Sequence, residues 1–421
     1  MKNLFYILII IFFSSCKKDE IPETIIDTNG VITKLPFLWK TSLTDGGYIA
    51  MGVAPSITYN DKILMGTFKE QKCDIALLDV NSGTKIWQTL FYPDQYYASI
   101  SRAYQYENLL VSDSYSEGFQ CRNLDNGHLK WKIITGGWFD GYKLTGIDNL
   151  FFVCGKSATN YDPFYLWAGW VGNAETGEMS EFLTPIFSET ADTVNFNYYG
   201  SRIVGGIENI VPLKTESGEI LLLINTHETL QSEYGEYYFS LYNFTKKEFV
   251  YCDKKLSASN HGMPQIVDNK IYFTLYKEVC CYDLNSGEKL WGRTYAGGFG
   301  SNFIVVNNQL ITSEVIFDES FLINLNSENG NQNWSISTVQ NLSPLRYLNG
   351  VIYFVPLSDA KLHAYEASTG KELWRIESPD YAHDSGAFFK PECTVVPGKN
   401  GEKGKVIVSS YLNGFCYEAA R

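Results

Sequence analysis

The sequence predicts an all-β protein, an eight-bladed β-propeller of four-stranded antiparallel blades whose ring is closed by the N-terminal strand. Three observations carry that expectation. A turn with Gly four residues before Trp recurs five times; the Trp, or a stand-in for it, returns every 40 to 50 residues except across one interval of 70; and the last copy stops one strand short, while an unattached strand stands at the start of the array. A unit of about 40–45 residues with four strands is the period of a propeller blade, because one such unit cannot bury its apolar faces alone.

The five clear copies read LDVNSGTKIW at 78–87, NLDNGHLKW at 123–131, YDLNSGEKLW at 282–291, LNSENGNQNW at 325–334 and YEASTGKELW at 365–374. Each is a strand, a polar turn and a second strand bearing a large ring. Gly supplies the positive φ that the turn needs without strain. Upstream of each copy stands another short strand pair, as in PQIVDNKIYFT at 264–274 and PLRYLNGVIYFV at 344–355. Two weaker copies fill the middle. AETGEMSE at 174–181 keeps its Gly but has Glu181 at the Trp position, and LYNFTKKEFVY at 241–251 has Lys247 for the Gly and Tyr251 for the Trp. The final copy, KVIVSSYLNGFCYEAA at 405–420, ends after its third strand, so LWKTSL at 38–43 is expected to complete it and remove the exposed edges of an open array.

The chain of 421 residues is 45% apolar and 15% aromatic, which suits a large core, and its 34 basic against 47 acidic residues give a net charge of −13. No basic stripe is available to neutralise phosphates, and nucleic-acid binding is disfavoured.

At the amino terminus, Lys2 precedes LFYILIIIFF at 4–13, followed by Ser14, Ser15 and Cys16. Ten apolar residues are too few for a bilayer, which takes ~20 in helix. The pattern resembles a bacterial lipoprotein signal, which implies acylation of the Cys16 thiol and cleavage before it. Phe13 and Ser15 depart from the commonest form of that signal, and a plain secretory signal with a chance Cys is the competing reading. The expected organisation is a signal peptide at 1–15, a flexible tether at 16–35 and a single propeller domain at 36–421. Lys18, Asp19 and Glu20 resemble a surface-export signal, so the expected location is the outer membrane, lipid-anchored, at the cell surface in preference to the periplasmic face.

The G-x-x-x-W turn after an aliphatic, Tyr and Asp strand resembles the pyrroloquinoline-quinone-type repeat of quinoprotein-like eight-bladed propellers. A lipid-anchored ring of this size is also similar in architecture to the B lipoprotein of the outer-membrane β-barrel assembly machinery. The resemblance implies a protein-binding scaffold or accessory subunit of an envelope complex, in barrel assembly or nutrient uptake. A glycan-binding surface lipoprotein is the alternative, and a quinone-dependent dehydrogenase a more distant one. That enzyme would need a metal-bound quinone, a catalytic Asp and long insertions, none of which can be placed here, so no cofactor, metal or catalytic residue is expected.

Some quinoprotein alcohol dehydrogenases carry a disulfide between adjacent cysteines, and Cys280-Cys281 resembles it. Register argues for core thiols instead: counting six residues back from the turn Gly sets Cys281 level with Leu77, Cys121 and Ala364, and the last copy adds Cys416. Free Cys packs as a small hydrophobe, and no disulfide is expected among Cys121, Cys281 and Cys416. The D-x-N-x-G of Asp79 and Asp283 fails the spacing of a calcium loop. No H-E-x-x-H, C-x-x-C, G-x-G-x-x-G or G-x-S-x-G occurs.

What remains are residues that the repeat does not require. Loops leading into the innermost strands meet at the channel mouth, and they carry Tyr48, Tyr97, Arg102, Trp138, Asp140, Asn260, His261, Phe299, Asn302, His383 and Asp384. Rings beside polar groups suit a sugar or a peptide; ordinary loop packing is the plain alternative, and acid–base work by His261, or by His383 with Asp384, a remoter one. Insertions in the third and fourth units add Tyr161, Tyr165, Trp167, Trp170, Tyr198, Tyr199, Tyr234, Tyr237 and Tyr238, and insertions in repeat arrays often form the binding face. Trp167 and Trp170 could equally pack internally from a lengthened strand.

Overall fold

The computed structural model describes residues 23–44, 57–69, 72–92, 103–113, 118–135, 139–156, 167–183, 206–228, 236–259, 262–317, 319–339, 343–381 and 387–421. Strands and turns account for all of the secondary structure there, with no helix among the described residues. Eight four-stranded antiparallel meanders follow one another: blade 1 at 57–92, blade 2 at 103–134, blade 3 at 139–183, blade 4 at 207–255, blade 5 at 265–294, blade 6 at 298–338, blade 7 at 346–376, and blade 8 at 389–418 with Trp39–Ser42. First strands of neighbouring blades touch one another from blade 2 to blade 4 and from blade 5 to blade 8, on the inner side of the ring. Fourth strands lie outside, and in blades 2 and 5 they alternate between exposed and half-buried residues.

The core lies at the seams between blades. One cluster joins Trp39 and Ile407 of blade 8 to Ile63, Ile75 and Leu77 of blade 1 and on to Leu110 of blade 2; others join blades 2 and 3, 3 and 4, 4 and 5, 5 and 6, 6 and 7, and 7 and 8. A four-stranded sheet has two apolar faces, so each blade is stable only between two others.

The Gly-x-x-x-Trp unit turns out to be a lock between blades. Trp39, Trp87, Trp131, Trp291 and Trp334 each lie against the turn Gly of the next blade. A Cβ added at Gly83 would fall 2.6 Å from Trp39, one at Gly127 2.8 Å from Trp87, and one at Gly330 2.6 Å from Trp291. The indole N–H then donates onward: Trp39 to Val80 O at 2.8 Å, Trp87 to Leu124 O at 2.8 Å, Trp131 to Ala174 O at 2.9 Å, Trp291 to Ser327 O at 2.9 Å and Trp334 to Ala367 O at 3.0 Å. Tyr251 takes the same place against Gly287. Inside each blade, the Trp stands opposite the level that holds Leu77, Cys121, Cys281, Ala364 and Cys416. All three of those cysteines are buried free thiols; burial pushes Cys121 up to about 11 and Cys281 and Cys416 to about 12. Cys280 and Cys393 are also buried and free, and Cys252 is free and exposed.

Two seams lack the lock. Between blades 3 and 4, where Glu181 and Lys247 replace Trp and Gly, Phe152, Phe182 and Phe244 meet edge to face with centroids 5.4–5.9 Å apart. Between blades 7 and 8, Trp374 meets the N-terminal segment instead. Ring closure follows the expectation, with Trp39 opposite Cys416 and Ser42 opposite Asn413, and Lys40 pairs with buried Asp380 at 2.9 Å. The segment expected as a tether includes two short strands. Ile25–Ile26 and Ile32–Lys34 form a hairpin on the outer edge of blade 7, with Ile32 beside Trp374, because Ile32, Leu35 and Phe37 cover apolar surface that no blade-8 turn reaches. Cys16 and the signal lie outside the described residues.

Candidate functional site

In an antiparallel meander, the second-to-third loop shares an end of the blade with the connections to neighbouring blades. The other two turns share the opposite end. At that opposite end the tight turns are built on Asn60-Asp61, Asp268-Asn269 and Asn307-Asn308, all at positive φ, and on Asp or Asn side chains such as Asp79 and Asp283, which accept backbone N–H bonds. A hollow there, between blades 1 and 2, is lined by Tyr59, Gln105 and Asn108 among others, but its groups pair with one another. Tyr59 Oη and Asn108 Nδ2 both donate to Asp125, at 2.9 and 2.7 Å.

The loop end differs. Met263, Tyr276, Phe317, Leu357, Tyr381 and Phe388 are all exposed there, Phe317 at 96%. Tyr381 and Phe388 pack with ring centroids 5.0 Å apart.

Of the expected channel-mouth residues, Tyr48, Tyr97, Arg102, Trp138, Asn260, His261, His383 and Asp384 lie outside the described residues, as do Tyr161, Tyr165, Tyr198, Tyr199 and Tyr234 of the insertions. Asp140 is the second residue of the first strand of blade 3, opposite Cys154. Phe299 is buried in the seam of blades 5 and 6, edge to face with Tyr295 at 4.8 Å, so its ring serves packing. Asn302 is half-buried in the irregular stretch between Phe299 and Phe303. Trp167 starts the third strand of blade 3 opposite Lys156, and Trp170 packs in the seam of blades 2 and 3.

Tyr237 and Tyr238 are the insertion residues that the structure brings beside other polar groups. Tyr238 donates to the Glu236 carboxylate, which also pairs with Lys255 at 2.6 Å. Tyr237 stands opposite His227, their rings stacked at 6.0 Å and 27°. His227 Nδ1 lies 3.1 Å from Glu208, yet it is misaligned for a hydrogen bond, so the contact is one of proximity. Glu208 reaches this place because it is the extra residue in the register shift between Ile207 and Asn209. Two residues before His227, Asn225 is 2% exposed and its amide has no partner. Asn225, His227 and Glu208 were not legible as site residues. The available signal was NTHE at 225–228, which runs polar beyond the point where the second strands of other blades stop.

The family model described as outer membrane protein assembly factor BamB matches residues 245–411. The chain is similar to that family there. No curated protein matches. Among solved structures, the computationally designed Ika8 protein is 9% identical, with 90% of this chain and 99% of that one covered and a TM-score of 0.59. Sqt1 from Saccharomyces cerevisiae is 11% identical, with 91% and 97% covered and a TM-score of 0.57. BamB from Moraxella catarrhalis is 12% identical, with 95% and 97% covered and a TM-score of 0.40. The first two establish the fold alone.

Proposed function

We propose that this chain is a non-enzymatic scaffold that binds a protein partner through the loop end of its ring, as an accessory subunit of an envelope complex in barrel assembly or nutrient uptake. In this reading, lipid on Cys16 holds it to the outer membrane, facing the cell surface. The observation that carries it is the set of exposed apolar side chains on the connections and second-to-third loops of blades 5 to 8. Met263, Tyr276, Phe317, Leu357, Tyr381 and Phe388 share the loop end. Clustered apolar groups on a soluble surface mark an interaction site. The match to an outer membrane assembly factor over residues 245–411 points the same way.

The test is recovery of the intact chain from its own envelope in mild detergent, with Cys16→Ala as the unanchored control, followed by mass spectrometry. Stoichiometric recovery of a β-barrel or uptake protein is the expected result. Recovery of the ring alone, with binding to a glycan array, would replace the reading with a glycan-binding one. Dye reduction with alcohols after addition of quinone and calcium would replace it with the dehydrogenase.

A further inference from the structure

Three buried polar atoms without a hydrogen-bond partner meet at the loop end of blade 4: Asn225 Oδ1, Asn225 Nδ2 and His227 Nδ1. Elsewhere among the described residues, the atoms in this condition are single hydroxyls and the Gln120 amide nitrogen. A hydroxyl can turn about its C–O bond to find a carbonyl, whereas a packed carboxamide has fixed donor and acceptor directions. A fully buried amide left unmatched is costly, and such groups are retained where something satisfies them.

The surrounding geometry suggests what. Asn225 and His227 are two apart on one strand, so they face the same side, about 6.5–7 Å from each other. Tyr237 lies directly across from His227. Asn225 is 2% exposed, while the side chains of His227 and Glu208, at the rim of the blade, are 26% and 19% exposed.

We propose that this corner binds the main-chain amides of an extended segment of the protein partner, an inference that rests on the scaffold reading above. A carboxamide offers one donor and one acceptor side by side, the complement of a peptide C=O and N–H. Main-chain groups along one edge of an extended chain repeat every second residue, the same spacing as Asn225 and His227. The face of Tyr237 covers the apolar side of such a segment. Glu208 gives the rim a negative charge, which disfavours acidic sugars and phosphate headgroups.

The experiment places a benzophenone amino acid at Tyr237 of the full chain in its own envelope, irradiates it, and compares the adduct with the partner recovered by pull-down. The expected adduct contains the same polypeptide, is removed by protease and survives glycosidase. Asn225→Leu is expected to cut its yield at least tenfold without lowering Tm, and His227→Gln to cut it in the same direction. A partner recovered by pull-down but never crosslinked through Tyr237 overturns the corner and leaves the scaffold standing. An adduct with glycan overturns the amide assignment. Asn225→Leu that lowers Tm with full crosslinking means that internal water satisfies the amide, and overturns it too. Failure to recover any partner removes both readings.

Discussion

Gly330 sits at φ +72° with the Trp291 ring 2.6 Å from where a Cβ would be, whereas Gly350 sits at φ +80° with nothing within 4 Å. Both carry the left-handed backbone, but one alone is also a docking surface. Gly350→Ala is expected to cost about 1–2 kcal/mol from backbone strain. Gly330→Ala adds an overpacking term of about 1–3 kcal/mol, a difference that urea unfolding would read. Lys247 holds the corresponding turn of blade 4 at φ +59° without being Gly, and Lys247→Gly is expected to recover about 1 kcal/mol by the same scale. His363 is the other telling residue. It is 2% exposed, stacked at 9° on Phe354, with Nε2 3.0 Å from Asp359 and Nδ1 3.1 Å from Glu372. Burial alone would push its pKa down, but the two carboxylates outweigh burial and raise it above 6.5. Burial likewise pushes Glu372 up, but bonds from His363 and Arg375 bring it down to about 2. The imidazolium therefore stabilises the fold fully below pH 6.5 and ceases to as pH rises through its raised value; the carboxylate contributes above pH 4.5 and loses its effect as pH falls towards 2. Tm measured against pH should show a decline on the alkaline side that His363→Gln flattens.

At the scale of elements, the strand Trp39–Ser42 decides whether the ring is closed. It supplies the outer strand of blade 8, a ring for the seam with blade 1 and an N–H for Val80 O. Trp39→Ala is expected to cost about 3–5 kcal/mol, the range for deleting a buried large ring. Because the loss also frees the outer edge of blade 8, light scattering should show association as stability falls. Blades 3 and 4 meet through Phe152, Phe182 and Phe244 in place of the indole lock. That seam keeps its apolar contact but lacks the onward hydrogen bond, so backbone amides beside it should exchange faster than those between blades 5 and 6.

For the whole molecule, the decisive property is the difference between its two ends. Phe317 is 96% exposed and contributes nothing to the core. Phe317→Asp is expected to leave Tm unchanged and to lower partner recovery at least tenfold, while Asp125→Asn on the turn end should leave recovery intact. Equal loss from both would remove the loop end as the binding surface. Blade count, strand pairing and closure were legible because Gly83, Gly127, Gly287, Gly330 and Gly370 mark the turns of five blades, and the level of Cys121, Cys281 and Cys416 marks the register. The candidate site was legible only at Tyr237 and Tyr238. Phe299 is buried in the seam of blades 5 and 6 with Tyr295 and Leu310, a placement set by its strand and not by its residue type.

By itself, the sequence determined the repeat, the number of blades and the strand that closes them, because each is marked by a motif of some ten contiguous residues that recurs at the blade period, or by its missing strand, although the contacts themselves cross blades. Only the tertiary structure decided that Ile25–Lys34 is part of the wall of blade 7 and that Glu208, Asn225, His227 and Tyr237 meet at one corner. Those meetings depend on three strands, the one-residue shift at Glu208 and the pairing of His227 with Tyr237. Which side chains converge is set by register across strands, and no periodicity along one strand contains it.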